Sequence, residues 1–431
     1  MNFEELRISK PLLNAIEDLD IVYPTPIQEK SYRRITSGKD VVGIAQTGTG
    51  KTFAYLLPIL NELTFSAQKQ PRVLIIVPTR ELVVQVMEEI TKLTKYKNVV
   101  VKGVYGGANI NTQKDYIFDG QTDIIVGTPG RLFDIAVLGV LKLSKIKKVV
   151  IDEVDEMLNL GFRPQIEQLL EIMTQKKQYL MFSATLSEEV EKFINKYFFE
   201  PEKIVIEQNS APLEKISQVH YLIPNFTTKI NLLKEILKNN DKCLKNLVFV
   251  STKKQADLLF EKINSSFENK IGIIHSNKSQ NYRFNSIRNF EKGKIKTLIA
   301  TDVVAKGLDF SNISHVINFT LPEDSLDYIH RIGRTGRADK TGNVISMIAP
   351  YEEDAFQQIM KFLGNNSILE KLPENIEISK QLFEDERPVI KQKNYLKTPS
   401  LEKTGGAFHE KKDIKEIKKE KKLKEKNLRR K

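Results

Sequence analysis

Two short stretches of this 431-residue chain combine residue types suited to chemistry on phosphates. In "AQTGTGKT" (45–52) glycines alternate with polar residues and end in Lys-Thr, after an apolar run and before a helical one. That is the pattern of a P-loop, with Ala45 in the first glycine position. Ala45, Gln46, Thr47, Gly48, Thr49 and Gly50 would wrap backbone N–H groups around phosphate oxygens, helped by the positive end of the following helix. Lys51 would reach the β- and γ-phosphates, and the Thr52 hydroxyl would ligate Mg²⁺. In "VVIDEVDEML" (149–158) an apolar run ends in Asp152 and Glu153, with Asp155 close behind. Adjacent acids at a buried strand tip repel one another unless a cation is present. A nucleoside triphosphate brings Mg²⁺, so Asp152 would hold the metal, largely through water, and Glu153 would orient and deprotonate the attacking water.

A third stretch, "HRIGRTGR" (330–337), puts three arginines in seven residues, spaced by glycines. This suits phosphate donors better than a solvated helix face. Arg334 and Arg337 are candidate arginine fingers for the γ-phosphoryl group. The second half of the chain has no Gly-Lys-Thr element of its own. With the phosphate loop in one half and the fingers in the other, ATP would be cleaved only when the halves close on each other.

These residues need rigid elements to aim them. The first half predicts strands at 40–45, 72–78, 98–106, 122–128, 148–152 and 178–184, with helical stretches such as 81–95 between them. The second half predicts strands at 246–252, 270–276, 296–301, 315–320 and 343–349. Continuous apolar strands alternating with helices indicate parallel sheets covered on both faces. The expected organisation is a first domain over 1–208, a polar linker over 209–215, a second domain over 216–370, and a basic, largely disordered tail over 371–431. Of the net +12 charges, eight fall in residues 411–431, which hold twelve Lys or Arg against four Asp or Glu. A balanced body with a cationic end suggests a polyanionic partner, although a solubilising tail or a nuclear-import signal would look similar. The longest apolar runs fall far short of the ~20 residues a membrane span needs, and the start lacks a secretory pattern. With one cysteine, Cys243, no internal disulfide forms, and the expected setting is cytoplasmic.

Together these motifs resemble those of the DEAD-box ATP-dependent RNA helicases of superfamily 2, over roughly residues 3 to 350. "YPTPIQ" (23–28) resembles the Q motif, in which Gln28 would read adenine. "PTREL" (78–82), Gly106–Gly107 and "TPGR" (128–131) resemble RNA-contacting motifs, which implies roles for Pro78, Thr79, Arg80, Gly106, Gly107, Thr128, Pro129, Gly130 and Arg131. In the second half Gln280, Arg283 and Phe290 match one motif. "TDVVAKGLD" (301–309) matches the next, with Thr301 and Gly307 facing RNA and Asp309 facing nucleotide. "SAT" (183–185) resembles the motif coupling hydrolysis to unwinding, through Ser183 and Thr185, with Asp155 and His330 linking the ATP site to the domain interface. The resemblance implies two RecA-like α/β domains in tandem, ATP and Mg²⁺ as cofactors, and RNA held by its backbone with little sequence preference. It also implies a monomer acting on RNA duplexes or RNA–protein complexes, with ribosomal or RNA-degradation assemblies as the expected partners. The "GGAFHEKK" stretch (405–412) resembles bacterial RhlE-type members.

Some positions depart from the family pattern. Val154 stands for Ala in the name motif, and Lys306 replaces an Arg, losing its planar fork. Asp20 and Ile21 stand where the Q motif carries Gly and an aromatic. Phe3 fits the family's isolated upstream aromatic or a plain core anchor. Two other functions remain open from sequence: an ATP-gated RNA clamp with little unwinding, and a DNA-directed superfamily 2 motor.

Overall fold

The computed structural model describes residues 2–386 except 47, 119, 207–215, 239–244, 269, 303–309, 311–312, 337–340, 364–367 and 384–385. Two seven-stranded sheets, each parallel throughout, follow one another along the chain. The first comprises β1 (Val41–Ile44), β2 (Val73–Ile76), β3 (Val101–Val104), β4 (Ile124–Gly127), β5 (Lys148–Asp152), β6 (Gln178–Ser183) and β7 (Glu202–Val205), in the order β3-β4-β2-β5-β6-β1-β7. The second comprises β8 (Ile216–Leu222), β9 (Asn246–Phe249), β10 (Ile271–Ile274), β11 (Thr297–Ala300), β12 (His315–Asn318), β13 (Gly342–Ile348) and β14 (Ile368–Glu370), in the order β10-β11-β9-β12-β13-β8-β14. Adding seven to each strand number of the first order gives the second, so one RecA-like topology is built twice.

The central strands β1, β2, β4 and β5 are almost wholly buried, and helices cover both faces, giving each sheet two hydrophobic clusters. Sandwiched sheets of this kind need apolar residues at consecutive positions rather than alternate ones, as "VLII" in β2 and "IIVG" in β4 provide. Three strands escape the sequence reading: β7, β8 and β14. All lie toward one edge of their sheets, where charge or alternating exposure weakens the apolar signal.

The order of the first sheet places the site. β6 lies between β1 and β5, so the tips of these three neighbouring strands carry the P-loop, Ser183–Thr185 and Asp152–Glu153 side by side. The helix Lys51–Glu62 leaves the P-loop and contains Pro58, which cannot donate to the Ala54 carbonyl one turn back. The Ser31 hydroxyl from the helix Pro26–Thr36 donates to that carbonyl instead, at 3.2 Å. The repair docks the Q-motif helix onto the P-loop helix.

Phe3 is buried in the first core cluster and Ile21 packs against that cluster, so both serve the core. Val154 is fully buried within the second cluster. Residues 371–383, assigned to the tail from sequence, instead lie on the second sheet's cover. Ile376 is buried there, and Leu372 and Phe383 pack beside it. The expected linker, Cys243, Lys306 and the lysine-rich end of the chain lie outside the described residues.

Candidate active site and nucleic-acid interface

The P-loop has the backbone that its glycines permit. Gly48 (φ 79°) and Gly50 (φ 87°) are left-handed, and a Cβ on Gly50 would lie 2.3 Å from Gln28 Nε2. Gln28 Nε2 donates to the Gly50 carbonyl at 3.2 Å, while its Oε1 accepts from Thr25 N at 3.0 Å, closing a capping box on its own helix. Thr49 Oγ1 donates to the Gln46 carbonyl at 2.7 Å, and Ala45 N pairs with the Ser183 carbonyl at 3.0 Å. At the end of the loop stands Lys51, buried at 6% exposure, whose Nζ meets no hydrogen-bond partner among the described residues. A buried ammonium without a partner is costly unless an anion joins it.

Opposite it, Asp152 is 2% exposed. Its Oδ1 accepts from Glu153 N at 3.0 Å and its Oδ2 from the Tyr55 hydroxyl at 2.9 Å. Burial pushes its carboxyl above the ordinary range, while Lys51, Tyr55 and the Glu153 amide pull it back. Burial raises Glu153 to about 7, again opposed by Lys51 and also by Arg334 from the second domain. Glu153 has a left-handed backbone (φ 55°, ψ 49°), a strain of about 1–2 kcal/mol for a non-glycine residue. Such strain persists where surroundings hold a residue in place for use. Asp155 is tied to β6: its Oδ2 accepts from Ala184 N (3.1 Å), Thr185 N (2.9 Å) and Thr185 Oγ1 (2.9 Å), and its Oδ1 from Glu156 N (3.1 Å). Ser183 is fully buried, and its hydroxyl accepts from Thr185 N at 3.4 Å.

The second domain sends Arg334 into this cluster. It is 3% exposed, donates from Nε to the His330 carbonyl at 3.2 Å, and feels the charges of Glu153 and Glu156 while burial works against its own. Arg331 corrects the reading of all three arginines as phosphate donors. Fully buried, it forks onto Asp302 (2.6 and 2.7 Å), reaches Asn318 Oδ1 (3.2 Å) and the Thr320 carbonyl (2.6 Å), and lies over the Phe249 ring. A guanidinium so enclosed is an internal strut. It ties the Thr301–Asp302 turn to the helix Ser325–Ile332 that carries His330.

Away from the nucleotide cluster, the expected RNA residues divide into two groups. Gly107 (φ 79°) has the Arg80 guanidinium packed where a Cβ would lie, 2.2 Å from Nη1, whereas Gly130 faces open space. Thr79 caps its helix by accepting from Leu82 N at 3.2 Å. Pro78 and Pro129 are buried, Thr128 precedes its helix as N-cap, and Thr301 is 7% exposed at the end of β11. Arg131 is turned inward: Nη1 donates to Gln113 Oε1 (2.7 Å) and Nη2 to the Ala108 carbonyl (3.0 Å), bracing the turn after Gly106–Gly107. Gln280 and Arg283 are committed to the first domain. Arg80 Nη1 donates to Gln280 Oε1 (3.0 Å), Gln280 Nε2 to Glu81 Oε1 (3.3 Å), and Arg283 Nη2 pairs with Glu81 Oε1 (2.6 Å). Glu81 is almost completely buried between the facing helices Arg80–Leu93 and Gln280–Glu291, and a carboxylate there needs an arginine. Phe290 is buried edge-on against Phe310. Thr47, Gly307, Asp309 and Arg337 lie outside the described residues.

Sequence reasoning missed Tyr55 and Glu81. Tyr55 lies four residues after Lys51 on one helix face. That spacing would have drawn attention to it. Glu81 had no signal beyond membership of "PTREL".

Residues 25–193 match the DEAD/DEAH box helicase family and residues 228–339 the helicase conserved C-terminal domain. The DEAD-box ATP-dependent RNA helicase CshA of Geobacillus kaustophilus is 39% identical over 350 residues, 81% of this chain and 74% of that protein. CshA of Bacillus cereus is 38% identical over 357 residues, 83% and 67% of the two chains. Among solved structures, S. cerevisiae Dbp5 bound to RNA and ADP BeF3 has a TM-score of 0.78 at 28% identity, covering 86% of this chain and 95% of its own. Mss116p bound to ssRNA and AMP-PNP has a TM-score of 0.79 at 29% identity, covering 87% and 80%.

Proposed function

Because this chain belongs to the DEAD-box ATP-dependent RNA helicases, we propose that it hydrolyses ATP in response to RNA and uses the closing of its two domains to separate short duplexes or strip RNA–protein complexes. One observation carries the reading: a buried, unpartnered Lys51 ammonium sits across from Asp152 and Glu153, with Arg334 of the other domain close enough for its charge to be felt. A triphosphate fits that arrangement, since it brings the anion that Lys51 lacks. Mg²⁺ fits the buried Asp152 carboxylate and the Thr52 hydroxyl, and when bound it would neutralise developing charge on the phosphates.

Within this frame the residues divide the work. Gln28, hydrogen-bonded to the P-loop, is suited to report adenine occupancy to Gly50. Glu153, with its carboxyl lifted to about 7 by burial, is half-charged near neutral pH and so is poised to take a proton from water. Arg334 supplies positive charge only while the domains are together. Asp155, locked to Ala184 and Thr185, would pass any shift of the Asp152–Glu153 turn directly to β6 and its coupling motif. Arg80, Gly106–Gly107 and Gly130 offer backbone amides and charge for an RNA backbone, a mode that carries no base code.

Steady-state ATPase rates with and without single-stranded RNA, duplex RNA and DNA test the reading, together with strand release from a short RNA duplex. RNA stimulation with strand release is expected. Stimulation without release would favour the clamp, to which the Arg80–Gln280 and Glu81–Arg283 contacts lend some support. Equal stimulation by DNA would overturn RNA specificity.

A further inference from the structure

The Tyr55 ring is wholly buried against Phe182, with centroids 5.4 Å apart, yet its hydroxyl is not merely tolerated there. It donates to Asp152 Oδ2 at 2.9 Å. Thr52 and Asp152 are the two groups assigned above to Mg²⁺. They come from different elements, the start of the helix Lys51–Glu62 and the tip of β5. No backbone pairing joins the two strands directly, because β6 lies between β1 and β5. The phenol spans the gap. Tyr55 stands three residues after Thr52 on the same helical face, so the helix carries both hydroxyls as one rigid unit. A Phe at this position would pack equally well against Phe182 but would leave Asp152 Oδ2 without its donor.

We infer that Tyr55 is a positioning residue for the cation site, fixing the Asp152 carboxylate relative to the helix that carries the Thr52 hydroxyl through its hydrogen bond to Asp152 Oδ2. The inference rests on the proposed nucleotide site and adds to it a group that touches neither substrate nor metal. The contact holds Asp152 Oδ2 in one direction, so that the carboxylate does not have to be ordered when the cation arrives. Partners that orient a metal-binding group without touching the metal commonly contribute 10- to 100-fold to metal affinity.

The test is Tyr55→Phe in the full-length chain, which removes the hydroxyl and keeps the ring. Binding of a fluorescent ADP is measured first in EDTA, then as a function of added magnesium chloride; the Mg²⁺ dependence of ATPase rate is measured in parallel. The expected result is unchanged ADP affinity in EDTA and a Mg²⁺ half-point raised by about 10- to 100-fold in both measurements, with the rate largely restored at high Mg²⁺. An unchanged half-point overturns the inference. Equal weakening of ADP binding with and without Mg²⁺ also overturns it, because that would make Tyr55 a packing residue. Lys51→Ala separates this from the underlying reading: wild-type ADP binding in that variant would remove the nucleotide site itself, whatever Tyr55 does.

Discussion

The turn after β1 and the turn after β8 occupy the same position in two sheets of identical strand order, and they are filled differently. After β1 the chain runs through Gly48 and Gly50 into the helix Lys51–Glu62, leaving Lys51 Nζ buried with no protein group to meet it among the described residues. After β8 only residues 223–225 intervene before the helix Phe226–Lys238, and none is glycine. Asn225 Oδ1 accepts from Thr228 N and from Thr228 Oγ1, both at 2.9 Å. Phe226 N donates to Glu386 Oε1 at 2.6 Å. Lys229, fully buried, donates to the Phe319 carbonyl at 2.9 Å and is ion-paired with Glu352. In one domain the lysine at the start of the first crossover helix meets no protein partner among the described residues; in the other, the chain itself supplies the cap, the anion and the ion-pair partner. The state of a buried lysine thus separates the two copies of one topology: Lys51 is unpaired, as the proposed nucleotide site requires, and Lys229 is paired within the domain.

Exchanging each lysine for methionine exposes this contrast most sharply. Lys51→Met is expected to reduce RNA-stimulated ATP turnover to background while leaving the urea unfolding midpoint unchanged or raised, because an unpartnered buried charge is removed. Glu153→Gln should likewise lose turnover, yet still bind ATP and RNA, since it removes a proton acceptor and no phosphate contact. Turnover and equilibrium binding of a fluorescent nucleotide distinguish the two. Arg334→Ala follows, with an expected loss of about 10³-fold in kcat and little change in ATP affinity, as befits a charge delivered only when the domains meet. A comparable fall in affinity would show that Arg334 belongs to ground-state binding. On the other side of the comparison, Lys229→Met is expected to destabilise the second domain by about 3–5 kcal/mol, because Glu352 is left buried and unpaired. Glu352 also accepts from Leu321 N and Ala349 N, both contacts that would be disturbed. Unfolding of Lys229→Met at the wild-type urea concentration would contradict the assignment of this lysine to structure.

How far these positions were legible in the sequence depended on whether a residue's role is local. The elements that carry the P-loop, Asp152 and Glu153 were readable because spacing along the chain decides them: a strand end, a Gly-rich turn, a helix start. The central strands were readable because burial on both faces makes their sequences apolar throughout. Strand β8, "ISQVHYL", was missed because its exposure alternates, and β14 because its three residues are all exposed. Arg331 and Arg334 stand three residues apart in one motif, yet one is an internal strut and the other faces Glu153. Nothing local distinguishes them, because the difference lies in what Asp302 and Asn318 bring from elsewhere. The internal contacts of Tyr55, Arg131 and Arg283 were not legible for the same reason, since their partners Asp152, Gln113 and Glu81 lie 97, 18 and about 200 positions away.

The smallest expected effect concerns residues 371–386, which sequence composition assigned to the tail. The described ones, 371–383 and 386, lie along the helix Phe226–Lys238, and most of the contacts are directional. Asn225 Nδ2 donates to the Ser379 carbonyl (2.6 Å), Ser379 N to Thr228 Oγ1 (3.1 Å), Thr227 Oγ1 to the Gln381 carbonyl (3.1 Å) and Asn231 Nδ2 to the Glu377 carbonyl (2.8 Å). Phe383 stacks on Phe226 at 4.9 Å, and Glu386 accepts from both Phe226 N and Phe383 N. The burial of Ile376 and Phe383, with the Glu386 cap, corresponds to about 3 kcal/mol. Ending the chain after residue 370 should therefore lower the stability of the second domain by about that amount, while ending it after residue 390 should leave stability unchanged. The same pair of truncations separates the covering segment from the lysine-rich end. If that end holds RNA phosphates nonspecifically, its removal alone should flatten the salt dependence of RNA binding without moving the unfolding midpoint. Equal stability of the two truncated chains would mean that the start of the helix Phe226–Lys238 is sufficiently capped by Asn225, and that the contrast with the P-loop rests on Lys229 and Glu352 alone.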